Sequence, residues 1–220
     1  MKSSPDKSQA GSASHLIQQS AAKRAFDIAL AAIGLLVSAP IWAAVAAAIV
    51  LDDGVPVFFR QARWGRGGRR FMALKFRTMR NGSAREQGMQ ATAHDPRVTR
   101  VGHWLRVSAL DELPQLWNIL KGDMSFVGPR ALPINEVQTK GPDKDLPDEA
   151  IPGFQARLAV RPGLTGVAQI FADRDVPRRH KFRYDLFYIQ RQNFWFDLRL
   201  ILLSFYITFR GRWEVRGRKL

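Results

Sequence analysis

Asp111 and Glu112 form an adjacent acid pair inside LRVSALDELPQLWNILKGDMSFVGP, residues 105–129, with Arg106, Lys121 and Arg130 close by in sequence. An ionised Asp can attack phosphorus, and a neighbouring Glu can hold a divalent cation that offsets phosphate charge. Leu113, Leu116, Trp117 and Leu120 recur at helical spacing and Gly122 offers a stop, which predicts an amphipathic helix. Its start is ambiguous: Ser108 with Asp111 reads as a capping box, whereas Pro114 prefers the first helical position. Either choice leaves Asp111 near a helix N-terminus, where the backbone dipole favours a carboxylate and any phosphate beside it. The competing reading of the same spacing is a solvated acidic first turn.

The elements that must position this pair follow from composition and pattern. A chain of 220 residues suits one domain with its own core. Its formal net charge of +15 points to polyanionic partners: nucleic acid, acidic lipid headgroups or a phosphorylated substrate. The absence of Cys removes disulfides, Cys-based zinc sites and thiol nucleophiles. His15, His94, His103 and His180 lack the close spacing of a metal site on one element.

Residues 1–19, rich in Ser, Ala and Gln, read as a disordered tail. From Ile28 to Leu51 there is no charge, and a straight helix of that length reaches about 36 Å, enough to cross a hydrocarbon core of about 30 Å. Pro40 deletes a backbone hydrogen bond midway, and Ser38 can bond back to a freed carbonyl, so a sharp bend is expected there. Lys23 and Arg24 precede the run, and Arg60, Arg63, Arg66, Arg69 and Arg70 follow it. The positive-inside rule then keeps both ends in the cytoplasm, which favours a re-entrant hairpin over a single crossing helix.

VPVFFRQARW and RRFMALKFRTM, joined at Gly65–Gly68, predict a β-hairpin with Lys75 and Arg77 as phosphate candidates on its second strand. From Gly54 to Arg106, twelve Lys or Arg face only Glu86 and Asp95, so this segment should lie near anions. Glu136 to Glu149 reads as an exposed acidic loop of little functional content. Arg161 to Gln169 is turn-rich, and either binds a ligand through Arg161 and backbone amides or is an ordinary loop. From Tyr184 the chain becomes aromatic and helical, with Leu198, Ile201, Leu202, Phe205 and Phe209 on one face and Trp195, Arg199 and Arg210 nearby. That pattern predicts a helix in the headgroup region of an anionic leaflet, with a buried core helix as the alternative.

DPRVTRVG at Asp95–Gly102, LRxxSxDELPQLWNxLKGDMSFVGPR at Leu105–Arg130, KFRTM at Lys75–Met79 and RPGLTGxAQ at Arg161–Gln169 closely resemble the bacterial sugar transferases. These are monotopic polyprenyl-phosphate phosphoglycosyl transferases, and the likeness runs in unbroken order from about Lys23 to Gly211. The resemblance implies transfer of a sugar phosphate from a UDP-sugar to undecaprenyl phosphate, with UMP released and Asp111 carrying the phosphosugar in between. It also implies Glu112 as a Mg²⁺ ligand. Lys75, Arg106 and Arg130 fall on basic positions near the phosphates, Arg77, Asp95, Arg97, Arg161 and Gln169 lie in shared motifs, and Ser38 and Pro40 fall on a helix-breaking element. The implied place is the cytoplasmic face of a bacterial inner membrane, with anionic lipid and a possible second copy as partners and no nucleic acid expected. The fold expected is mostly α with a small β-hairpin, one domain over 20–220. It comprises a re-entrant membrane hairpin (20–53), a compact catalytic core (54–183) and interfacial amphipathic helices (184–212). The chain departs from the common pattern at LDDGVPVFF, GPRA and QIFADR, so no role is carried to Arg174.

Overall fold

A computed structural model describes residues 19–82, 95–134, 146–173 and 176–210. The expected tail, most of the acidic 136–149 loop, and Arg174 lie outside these residues, although Gln19 is placed and accepts a hydrogen bond from Arg161. The described chain is mostly helical with a small antiparallel hairpin.

Helix α1 (Ala21–Asp53) opens on Ser20, whose hydroxyl accepts from Lys23 N, and closes on Gly54 at φ 70. Helical backbone runs unbroken through Pro40, so the expected interruption at Ser38–Pro40 is not a break in the helix. The reason is local. Ser38 Oγ donates to Gly34 O at 2.6 Å and accepts from Trp42 Nε1 at 3.1 Å, tying the turns on either side of Pro40 together. The carbonyl it reaches belongs to Gly34 and not to Leu36, whose partner Pro40 removes. Both ends of α1 are bound to the rest of the protein. Arg24 caps the C-terminal carbonyls of Ile119 and Leu120, and Lys23 reaches Val127 O, Tyr188 and Asp197. At the far end Asp52 accepts from Val101 N, and Asp53 pairs with Arg77. Leu36, Val37 and Leu51 on α1 are exposed. Among the described residues, α1 is the one helix long and apolar enough to cross a membrane.

Strands β1 (Phe58–Trp64) and β2 (Arg70–Phe76) form the predicted hairpin, with Phe59 opposite Lys75 and Arg63 opposite Phe71. Helix α2 (Arg100–Val107) is capped by Thr99, and its Gly102 backs directly onto Thr78, where an added Cβ would lie 2.1 Å from the carbonyl oxygen. Helix α3 (Gln115–Lys121) ends at Gly122, φ 96. Short strands β3 (Ser125–Val127) and β4 (Gly163–Thr165) pair in parallel. Helices α4 (Phe154–Arg157), α5 (Val167–Phe171), α6 (Arg178–Arg191) and α7 (Phe194–Phe209) complete the chain.

The main core joins Ala31 of α1, Leu116 and Ile119 of α3, Phe126 and Val127 of β3, Ile170, Tyr188, and Leu200, Ile201 and Ile207 of α7. Ile201 was expected to share one face with Leu202, Phe205 and Phe209 and instead turns from them into this core. Leu202, Phe205 and Phe209 do face outward, Phe209 at 94% exposure. Helix α7 is therefore core on one side and bare aromatic surface on the other. A second correction concerns Asp148, expected in an exposed loop: it is buried in an ion pair with Arg178.

Candidate active site

The acid pair sits on a 3₁₀ turn, Leu110–Glu112, between α2 and α3. Ser108 closes α2, donating to Trp104 O and Leu105 O, so the predicted capping box does not form. Ala109 then takes a left-handed conformation at φ 55, which costs an L-residue roughly 1–2 kcal/mol and turns the chain sharply enough to point Asp111 inward. Pro114 leads into α3, matching the later of the two predicted starts.

Opposite the turn stands β2. Asn118 of α3, 2% exposed, accepts from Leu74 N at 3.0 Å and donates to Met72 O at 2.8 Å, so one amide grips the outer edge of the strand. That grip sets the height of Lys75. Its Nζ lies 2.5 Å from Glu112 Oε1 and 3.5 Å from Asp111 Oδ2, so one ammonium bridges both acids.

The two carboxyls are driven apart by their surroundings. Burial pushes Asp111 up, reinforced by the charge of Glu112 and opposed by Lys75 and Arg106, with the net shift upward. Burial acts on Glu112 as well, but Lys75, Arg130 and Arg63 together outweigh it and hold Glu112 at about 2. One acid is a firmly ionised anion and its neighbour is a costly one, a division that suits distinct chemical roles. The Asp95–Arg97 pair closes on itself through Arg97 Nε at 2.8 Å and Nη2 at 2.6 Å, and these bonds hold the Asp95 carboxyl low despite burial. The charge of Arg106 acts on both Asp95 and Asp111, which joins this turn to the site.

The structure thus gathers Lys75, Asp111 and Glu112 by direct contact, with Arg106, Arg130 and the Asp95–Arg97 turn around them. It commits the other candidates elsewhere. Arg77 donates to Asp53 O and Gly54 O at the end of α1. Arg161 donates to Gly122 O beneath α3, beside Arg24 and Arg66, whose charges and burial lower its pKa. Gln169 donates to Gly163 O. The RPGLTG stretch is a strand and a backbone crossing: a Cβ on Gly163 would lie 2.1 Å from Gly128 N, and one on Gly166 2.2 Å from Gly128 O. Its glycines let β4 and α5 press against Gly128–Arg130, which aims Arg130. Arg63 is the member that sequence reasoning missed; it is buried, bonds Ala131 O at 2.7 Å, and adds its charge to Glu112. The readable signal was strand parity, since residues 59, 61 and 63 share the face of Lys75 in this register.

Among the described residues no cluster of three or more His, Cys, Asp or Glu exists. A Mg²⁺ ion would therefore take one or two carboxylates and complete its shell with phosphates and water, as it commonly does. Glu112 fits that part, being ionised and 23% exposed at its side chain.

Comparison with known proteins adds the lineage. The UDP-glucose:undecaprenyl-phosphate glucose-1-phosphate transferase of Escherichia coli (strain K12) is 39% identical over 196 residues, covering 86% of this chain and 40% of its own. An exopolysaccharide production protein of Rhizobium leguminosarum bv. phaseoli is 41% identical over 185 residues, covering 81% of this chain and 90% of its own. A UDP-N-acetylgalactosamine-undecaprenyl-phosphate N-acetylgalactosaminephosphotransferase of Aeromonas hydrophila is 39% identical over 183 residues, 81% of this chain and 41% of its own. The chain thus spans about two fifths of the length of the first and last of these. Residues 18–211 match the family described as Bacterial sugar transferase, and the chain belongs to that family.

Proposed function

We propose that this protein is a phosphoglycosyl transferase that moves a sugar-1-phosphate from a UDP-sugar to undecaprenyl phosphate, as an initiating step of exopolysaccharide, O-antigen or related glycan synthesis. The observation that carries the reading is the part-buried Lys75 bridge between Asp111 and Glu112. The names of the relatives support the substrate class, and their differing sugars leave the sugar to the geometry of the pocket.

In the first step an Asp111 carboxylate oxygen attacks the sugar-bearing phosphorus. The bond from that phosphorus to the bridging oxygen breaks, and its electron pair leaves with UMP. In the second step an oxygen of undecaprenyl phosphate attacks the same phosphorus and displaces Asp111, regenerating the carboxylate. The upward pull on Asp111 makes it a better nucleophile once ionised, and Lys75 and Arg106 keep the ionised form accessible. Arg130 and Lys75 offset charge on the phosphates. Mg²⁺, held by Glu112, would supply further neutralisation of the diphosphate.

The reading extends to the membrane. A monotopic seat on the cytoplasmic face of a bacterial inner membrane is supported by the exposed apolar residues of α1 and α7 and by exposed Trp104 and Trp195. A re-entrant α1 is supported by the attachment of both its ends, through Arg24 and Asp52, to neighbouring helices of one body.

The test is UMP release by detergent-purified protein given Mg²⁺, undecaprenyl phosphate and a panel of UDP-sugars. Release that favours one sugar and disappears with Asp111→Asn is expected. Release undiminished in Asp111→Asn would remove the nucleophile from the scheme, and no release from any donor would remove the reaction.

A further inference from the structure

We propose that the buried Arg157–Asp185 ion pair is a positioning device for the Asp111–Glu112 site: Arg157, held by Asp185, grips the Arg130 carbonyl and so fixes where the Arg130 guanidinium stands. The inference rests on the phosphoglycosyl transfer reading for its catalytic consequence.

Arg157 closes α4 and Asp185 lies midway along α6, each with a side chain only 3% exposed. Arg157 Nε and Nη2 reach Asp185 Oδ2 at 3.0 and 2.9 Å, and the guanidinium lies 4.7 Å over the Phe182 ring. The pair then turns to Arg130. Arg157 Nη2 donates to Arg130 O at 2.5 Å, while Asp185 holds the same guanidinium in place. Arg130 itself is exposed, sits just past the end of β3, and makes an isolated parallel bridge back to Gly163.

Holding α4 against α6 does not call for these charges. Replacing a buried ion pair by apolar side chains of similar volume is often neutral or stabilising. What apolar side chains cannot do is donate to the Arg130 C=O. That hold matters where a side chain must be aimed, because a misplacement of about 1 Å can cost on the order of 100-fold in rate. Arg130 is such a side chain, since its charge acts on Glu112.

The test is a double-mutant cycle with two readouts. Asp185→Asn strands a buried guanidinium and can fail to fold, so the paired replacement Arg157→Met with Asp185→Leu is made alongside, leaving no charge unpaired. The paired variant should lower kcat/KM for UMP release about 10- to 100-fold, and the loss should shrink to within about twofold in an Arg130→Ala background, because residues acting through one another are not additive. Hydrogen exchange by mass spectrometry, which needs no activity, should show faster exchange confined to residues 128–132 while α4 and α6 keep their protection. A loss that persists in full without Arg130, or unchanged exchange over 128–132, would overturn the device. Wild-type protein that releases no UMP would overturn the transfer reading, and the exchange measurement would still decide whether the grip exists.

Discussion

Replacing Lys75 by Met removes the charge that both acids share while keeping most of the side-chain volume. Glu112 held at about 2 in place of the usual 4.5 represents about 3 kcal/mol of stabilisation. Burial opposes that lowering, so the attraction of Lys75, Arg130 and Arg63 together exceeds it, with Lys75 the foremost contributor through both its charge and its hydrogen bond. Loss of Lys75 also pushes Asp111 further up, which adds to the cost at neutral pH. The variant should be about 2–4 kcal/mol less stable at pH 7, somewhat below the roughly 3–5 kcal/mol for stripping a partner from a fully buried pair, because Lys75 retains 16% exposure. For a domain of this size that is a melting temperature lower by about 5–15 °C. The sign of the pH dependence follows from Glu112. Its folded pKa lies below its unfolded one, so the stabilisation is present above about 4.5 and is lost as pH falls through about 2. Melting followed by circular dichroism in one detergent should therefore show a wide gap between wild type and Lys75→Met at pH 7, shrinking to under half by about pH 3. A gap of constant size across that range, or none at pH 7, would refute the electrostatic account of the site.

Asp111→Asn should reduce UMP release by at least about 10³-fold yet raise the melting temperature at pH 7. The folded pKa of Asp111 is raised, so its ionisation costs stability progressively as pH rises from the unfolded value of 3.8 through the folded one, and the gain from the amide should vanish on acidification below 3.8. For the same reason the acid limb of wild-type kcat/KM should lie above the ordinary carboxylate value of 3.8, as a pH–rate profile would register. Asn118→Ala leaves Leu74 N and Met72 O without their buried partner and should cost about 2–4 kcal/mol by chemical denaturation, with activity falling as Lys75 loses its height. Gly163→Ala should give no soluble folded protein in detergent, since its Cβ would stand 2.1 Å from Gly128 N.

Much of this was legible in the chain. Two runs rich in β-branched and aromatic residues and the Gly65–Gly68 turn announced the hairpin, and the contact between Lys75 and the acid pair joins two motifs of the sequence. Local signals misled where tertiary partners decide. Ser108 has the chemistry to open a helix, but the left-handed turn at Ala109 makes it the close of the previous one. In the turn-rich stretch from Arg161 to Gln169, pairing of β3 with β4 takes up part of the backbone, while Arg161 donates to Gly122 O and Gln169 to Gly163 O, contacts that no local pattern announces. Asp52 and Asp53, which mark a departure from the common pattern, cap α2 and pair with Arg77, a use that needs two segments of chain in contact. Asp185 lies on a strongly basic helix between buried Phe182 and Ile189, and nothing local to it announces the buried Arg157 that pairs with it.

The grip of Asn118 on β2 has a counterpart across the hairpin. On the outer side of β1, Trp64 N donates to Leu132 O and Ile134 N donates to Ala62 O, so the segment around Pro133 occupies that edge just as the amide occupies the other. A sheet of two strands would ordinarily offer two open borders to any extended chain that drifts past, which is how cross-strand aggregation begins. Here part of each border is already taken, the middle of β2 by a side chain and the end of β1 by a loop. Where many copies crowd together, this hairpin offers a neighbouring copy no full edge to extend, and an Asn118 variant that folds should be the one that self-associates through its strands.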